Sequence, residues 1–195
     1  MENLNESPMD RLRPLFKKVE IFNGLVALIG LLLWVLQLPM ASMLMVIGLM
    51  TFSSTNTVGI FFRDPDAKTS IARSTPKMIG IGCGLVSTGM LFKLQFYPAQ
   101  DELFYVGLSL LLIALCLLGF NKTLIINYLS IKMFVVLLLG TFIWQVNSKT
   151  LFAHHFANDP EFVKLYENMI DNPTDKNAKE IFEKRKIEKM GQVSK

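Results

Sequence analysis

Residues 21–52 read IFNGLVALIGLLLWVLQLPMASMLMVIGLMTF, with no charged side chain and one proline, Pro39. A helix that crosses a bilayer needs about 20 mostly apolar residues, because the hydrocarbon core is about 30 Å thick and each helical residue rises about 1.5 Å. Two such lengths flank Pro39. A soluble domain would show strict alternation or a one-sided apolar stripe here rather than a bare run. The stretch therefore predicts two spanning helices joined at a tight turn.

The same pattern recurs downstream. Bare runs predict spans at 21–38, 41–62, 77–96, 103–120 and 131–147. The predicted fold class is all-α: a polytopic membrane helix bundle with about five spanning helices, a duplicated two-helix hairpin and a short helical C-terminal tail. The expected division is an N-terminal cytoplasmic or interfacial segment 1–20, hairpin 21–62, cytoplasmic loop 63–76, hairpin 77–120, a bend and fifth span 121–147, and a soluble tail 148–195. Composition agrees. Hydrophobic residues make up 51% and charged residues 18% of the 195-residue chain, below the roughly 25% charged content of ordinary soluble domains. The charges cluster in 1–20, 63–77 and 159–195. The first run could mimic a signal peptide, but apolar character resumes at Met40 and Pro39-Met40-Ala41 is a weak cleavage site. An uncleaved first span is expected.

Lysine and arginine in short loops set topology. Arg11, Arg13, Lys17 and Lys18 precede the first span; Arg63, Lys68, Arg73 and Lys77 lie in the next loop; Lys122 and Lys132 belong to segment 121–132. The two hairpin turns carry none. This predicts a cytoplasmic N-terminus and, with five spans, a tail outside the cytoplasm, which is the periplasm if the membrane is a Gram-negative inner membrane. A re-entrant fifth segment would put the tail inside. Leu12, Leu15, Phe16 and Val19 recur at helical spacing, which fits either a surface helix or an extension of the first span.

Gly30, Pro39 and Gly48 are spaced nine and nine, and so are Gly89, Pro98 and Gly107; the offset between the sets is 59. Leu32/Leu91, Leu44/Leu103 and Leu49/Leu108 share it. Both turns fall on the same side of the membrane, so this reads as a parallel repeat. Glycine lets helices approach closely in lipid, and proline suits the turn.

The second copy, Gly89-Met90-Leu91-Phe92-Lys93-Leu94-Gln95-Phe96-Tyr97-Pro98-Ala99 followed by Leu103 and Gly107, resembles the Gly-x-x-x-Lys-x-x-His-x-Pro-Gly hairpin of Bacteroidetes inner-membrane proteins. The best-known member is the two-span subunit of the gliding-motility and type IX secretion motor. Gly89, Lys93, Pro98 and Gly107 match; Phe96 stands for the histidine and Ala99 for the glycine. In the first copy Trp34, Gln37 and Met40 replace lysine, histidine and glycine. The motor subunit resembled here carries a carboxylate in its second span. Spans two and four of this chain have no Asp, Glu, His, Lys or Arg in their interiors. The resemblance therefore implies a hairpin shape and a lineage, not motor activity.

Candidate polar groups in the membrane are few. Ser53, Ser54, Thr55, Asn56 and Thr57 could form a solute site or, as the simpler reading, hydrogen-bonding glue. Lys93 reads as the one ionisable residue well inside a span. It could contact a solute, snorkel to the interface, or pair with Asp101 or Glu102. Gly80, Gly84 and Thr88 form a small-residue packing face. The packing glycines expected overall are Gly30, Gly48, Gly80, Gly84, Gly89 and Gly107. Trp144 and Tyr97 suit the interfacial belt.

In the tail, Asp159-Pro160-Glu161 predicts a helix start, with Phe162, Leu165, Tyr166, Met169 and Ile170 on one stripe and Asn172-Pro173 as the stop. A second helix is expected over 175–190, with a Glu180–Lys184 pair and Gly191 as its close. The two could fold on each other, on the membrane or on a partner. Adjacent His154 and His155 point to different faces and make a poor metal pair.

No phosphate-binding loop, serine elbow, zinc-protease motif or CxxC occurs, and Cys83 and Cys116 both lie in apolar runs. No catalytic, cofactor-binding or metal residues are expected, nor nucleic-acid binding. The leading expectation is a non-catalytic scaffold or accessory subunit of a bacterial envelope assembly. Its expected partners are the lipid bilayer and other membrane proteins or further copies of itself. The alternative is a small-solute or ion transporter or channel subunit using the polar run of span two.

Overall fold

The computed structural model describes residues 8–38, 40–61, 70–97, 99–120 and 128–193. These form eight α-helices and one 3-10 turn, with no strand among them. Helices α1 (Pro8–Val35), α2 (Ala41–Val58, followed by the 3-10 turn Gly59–Phe61), α3 (Ser70–Leu94), α4 (Gln100–Phe120) and α5 (Tyr128–Gln145) belong to one compact unit. Helices α6 (Ser148–His155), α7 (Pro160–Asp171) and α8 (Lys176–Val193) belong to a second. Four helices of the first unit are long and apolar enough to cross a membrane, and the count reaches five if α5 and α6 are taken together as one broken span.

The hairpins α1–α2 and α3–α4 pack in the same way. A Cβ built on Gly30 would lie 2.4 Å from the Met45 nitrogen, and one on Gly48 would lie 2.5 Å from the Ala27 Cα. In the second hairpin Gly89 faces the Phe104 nitrogen at 3.0 Å and Gly107 faces the Val86 nitrogen at 2.8 Å. Met45/Phe104 and Ala27/Val86 are also 59 apart. Both hairpins thus bring backbone against backbone at equivalent positions, which only a missing side chain allows.

The turns match bond for bond. Leu38 N–H donates to Leu33 O and Gln37 N–H to Trp34 O; Tyr97 N–H donates to Phe92 O and Phe96 N–H to Lys93 O. Each is a Schellman cap, with Gln37 (φ 54°) and Phe96 (φ 57°) in the left-handed position that favours glycine. Phe92 and Tyr97 make the apolar contact that accompanies such caps, edge to face at 5.7 Å. Met40 (φ 64°) and Ala99 (φ 65°) then open the returning helices, again left-handed. Pro39 and Pro98 lie outside the described residues.

Helix α3 is the centre of this unit. It packs on α2, α4 and α5, and 67% of its apolar stretch is buried, against 17–28% for the other three candidate spans. Two boundaries depart from expectation. Helix α1 is continuous from Pro8, so the N-terminal turns prolong the first span. Helix α3 begins at Ser70 rather than 77 and contains Pro76. A proline in the second turn removes one hydrogen bond but leaves the helix running. The rest of the expected 63–76 loop and residues 121–127 of the expected 121–130 bend lie outside the described residues, and α5 already begins at Tyr128.

The second unit has its own aromatic core. Phe152 stacks on Tyr166 at 3.9 Å, Phe162 stacks on Phe182 at 5.3 Å, and Phe156 packs on both Phe152 and Phe162. Asp159 Oδ1 accepts from Phe162 N–H, with Pro160 in the first turn, as predicted. The sequence reading missed α6, whose Asn147 cap accepts from Lys149 N–H and whose Leu151 and Phe152 are buried. With that third helix α7 buries Phe162 and Tyr166 and α8 buries Ala178 and Phe182, while Ile170, Ile181 and Ile187 stay exposed. Helix α8 runs past Gly191 to Val193.

Candidate functional site

The membrane unit holds a buried polar cluster that the sequence reading did not assemble. Glu20 comes from α1, Asn56 from α2 and Lys132 from α5. Lys132 Nζ lies 2.5 Å from Glu20 Oε1 and 2.7 Å from Asn56 Oδ1. The Lys132 and Glu20 side chains are 7% and 14% exposed, and Asn56 is 2% exposed. Asn56 Nδ2 donates to Phe52 O, one turn back on its own helix. Both ends of the amide are therefore used, which fixes its orientation. A cation and a carboxylate in apolar surroundings are tolerated because each neutralises the other and the amide takes a further ammonium proton.

Lys93 is thus not the one ionisable group inside the bundle. Lys132 read as part of a basic interfacial segment and Glu20 as part of the polar N-terminus, yet both turn inward from helix positions near the ends of apolar runs. Lys93 itself is 7% exposed and donates to Trp144 O at the last turn of α5. Its ammonium also sits 5.9 Å from the Trp144 ring centroid. It ties α3 to the negative end of the α5 dipole rather than reaching outward. Trp144 stacks on Phe104 at 5.7 Å.

The 53–57 run does not act as one site. Ser53 Oγ donates to Gly84 O across the α2–α3 contact and lies 2.9 Å from Thr88 Oγ1. A Cβ built on Gly84 would lie 3.1 Å from Thr57 Oγ1 and one on Gly80 would lie 2.9 Å from Asn56 O, so the small-residue face of α3 receives α2. Thr55 and Thr57 hydroxyls bond back to carbonyls of their own helix. Ser54 is exposed. Only Asn56 joins the charged cluster.

Beside the cluster runs an apolar groove of about 360 Å³ between α1, α2, α3 and α5. Glu20 and Lys132 stand at one end, Gly24, Phe52 and Leu31 line its walls, and Ser87 reaches it from α3. Ser87 Oγ is fully buried and has no hydrogen-bond partner among the described residues. Sequence signals for this site were weak: a glutamate before one apolar run and a lysine near the start of another.

Among the described residues no three His, Cys, Asp or Glu side chains gather where they could hold a metal ion. Cys83 is buried, Cys116 is exposed, and both are free thiols. No family model matches the chain, and no curated protein or solved structure does.

Proposed function

We propose that the chain is a non-catalytic scaffold, an accessory subunit that organises a larger bacterial envelope assembly. One observation carries this reading. The polar side chains of span two that could have lined a conduit are bonded to helix backbones, to Thr88 or to Lys132. The bonds of Ser53 and Asn56 hold helices together, and those of Thr55 and Thr57 satisfy their hydroxyls on their own helix. A permeation path would need polar atoms turned to an open lumen, whereas the groove beside them is apolar.

The matched hairpins support descent from one duplicated unit, and the resemblance to the motility-motor hairpin suggests where that unit arose. Equal backbone bonds at an offset of 59 are what a parallel repeat would leave. The basic residues Lys17, Lys18, Arg73 and Lys77 cluster at the end of the bundle opposite the hairpin turns. That asymmetry supports a cytoplasmic N-terminus and a periplasmic tail in an inner membrane. Assembly surfaces are available. Ile131, Phe134, Leu138 and Phe142 expose one face of α5, able to meet lipid, another membrane protein or a second copy.

Photo-crosslinkers placed at Leu138 and Phe142 in native membranes test the scaffold reading. A reproducible protein adduct, found by mass spectrometry, is expected. Lipid adducts alone at both positions and across the tail surface would sink it. Solute flux in liposomes, abolished by alanine and valine at Ser53 to Thr57, would replace it with a transporter.

A further inference from the structure

The hairpin helices form a row: α1 packs on α2, α2 on α3 and α3 on α4. The α2–α3 contact is the link between the two hairpins. A Cβ built on Gly80 would lie 3.4 Å from Ile60 Cγ2, in the 3-10 turn that ends α2, and one on Gly84 would lie 3.1 Å from Thr57 Oγ1. Ser53 Oγ lies 2.9 Å from Thr88 Oγ1. Three pairs at three levels thus join the second helix of one hairpin to the first helix of the next.

The equivalence of the hairpins carries this link past both ends of the row. Ile60, Thr57 and Ser53 lie 59 residues before Gly119, Cys116 and Leu112 of α4. Gly80, Gly84 and Thr88 lie 59 residues after Ile21, Leu25 and Ile29 of α1. All six counterparts are exposed. Ile21, Leu25, Ile29 and Leu112 are 42–53% exposed, and among the described residues nothing lies within 4 Å of a Cβ built on Gly119. Each free edge of the row therefore carries one half of the link.

The two halves complement each other. Inside the chain the isoleucine is on α2 and the glycine on α3 (Ile60 and Gly80). At the edges the glycine is on α4 and the isoleucine on α1 (Gly119 and Ile21), which is the same pair with its sides exchanged. Cys116 against Leu25 again puts the smaller member on α4, where the internal pair of Thr57 and Gly84 puts it on α3. Leu112 against Ile29 replaces two hydroxyls by an apolar pair, which strands no polar group in lipid before the contact forms. Parallel hairpins are related by an axis along the membrane normal, so a further copy placed by the same relation keeps its N-terminus on the same side of the bilayer.

We propose that α4 of one chain docks on α1 of a second copy, with Gly119 on Ile21, Cys116 on Leu25 and Leu112 on Ile29, and so continues the α2–α3 link from chain to chain. The contact is heterologous, and copies joined this way close into a ring or extend in a row within the membrane. The inference rests on the match between the hairpins and stands whether or not the chain is a scaffold.

Oxidative crosslinking of the full chain in native membranes, read on non-reducing gels, tests it. The closeness of the Gly84 Cβ to Thr57 Oγ1 implies a Cβ separation of about 4 Å at this level, which suits a disulfide. Leu25→Cys with the native Cys116 should therefore give interchain dimers and longer ladders. The native chain and Leu25→Cys/Cys116→Ser should give none. Adding Gly119→Leu to Leu25→Cys fills the space for Ile21 and should lower the crosslinked fraction about tenfold, the effect of overpacking one contact. Ile29→Cys/Leu112→Cys in a Cys116→Ser chain reads the same contact one turn away and serves if Leu25→Cys does not fold. Dimers of the native chain would mean that α4 meets α4, and dimers of Leu25→Cys/Cys116→Ser that α1 meets α1; either overturns the head-to-tail contact. So does the absence of interchain bonds in both cysteine pairs, an unchanged yield with Gly119→Leu, or an equal yield from Leu138→Cys on α5, which marks chance collision.

Discussion

Replacing Lys132 by methionine strands the Glu20 carboxylate. The ammonium lies 2.5 Å from Glu20 Oε1 and 2.7 Å from Asn56 Oδ1, and the lysine side chain is 7% exposed, so water screens the pair poorly. Losing one partner of a buried ion pair costs about 3–5 kcal/mol, because the remaining charge keeps its desolvation penalty. Glu20→Leu alone should cost a similar amount by stranding the ammonium, softened by its bond to Asn56. The double variant Glu20→Leu/Lys132→Met removes both charges and leaves an apolar contact between α1 and α5. It should stand within about 1 kcal/mol of the native chain, or above it. The coupling energy is then about 3 kcal/mol or more, far beyond the roughly 0.6 kcal/mol of an average interhelical hydrogen bond in lipid. Reversible unfolding in mixed micelles, followed by helicity as the denaturing detergent fraction rises, measures all four corners of the cycle. A double variant whose loss equals the sum of the singles, with coupling under about 0.5 kcal/mol, would refute the pairing.

Three further outcomes follow from the geometry. Gly48→Ala puts a methyl 2.5 Å from the Ala27 backbone and should cost about 1–3 kcal/mol in the same unfolding assay; Gly119→Ala, with nothing within 4 Å, should cost nothing. Ala99→Gly relieves a left-handed residue at φ 65°; setting about 1–2 kcal/mol of relief against glycine's added chain entropy gives a net gain of about 0.5–1 kcal/mol, whereas Ala99→Val should destabilise. Burial, and then the neighbouring His154, hold the pKa of His155 below its ordinary 6.5, so below that pH the unfolded tail binds the proton more readily than the folded one. Stability of 146–195 should fall as pH drops from 6.5 through the lowered folded value, and His155→Asn should flatten that dependence in limited proteolysis of the full chain.

The spans and turns could be read from the chain because they depend on local physics. Bare apolar runs have one good fate in lipid, and glycines nine residues either side of a turn fall near the same level of an antiparallel pair, each against the partner backbone about three residues from the other glycine. The start of α3 misled for a physical reason. Arg73, Pro76 and Lys77 look like loop residues, but a spanning helix can continue into water for two turns, and a proline near its start costs little. The missing α6 hid behind the apolar run before it, although an Asn147-Ser148 start followed by Leu151, Phe152 and Phe156 has the needed spacing.

The polar site resisted reading because it is not a property of any segment. Ser53 to Thr57 look like a unit in sequence, but consecutive helical residues point about 100° apart. Ser53 and Thr57, four apart, therefore face α3 together, while Asn56 turns to α5. Glu20 and Lys132 are 112 residues apart, and each sits where an interfacial charge is ordinary. Their pairing follows from α3: its contacts with α2 and α5 bring Asn56 and Lys132 toward one another, and the α1–α2 glycines draw Glu20 to the same level. The small residues that first marked a repeated hairpin thus also set the α1–α2 spacing on which the buried charge pair depends. Widening the α1–α2 contact at Gly48 should consequently weaken the Glu20–Lys132 coupling, although neither residue touches that glycine. A cycle measured in the Gly48→Ala background that returned the native coupling would show the two features to be independent.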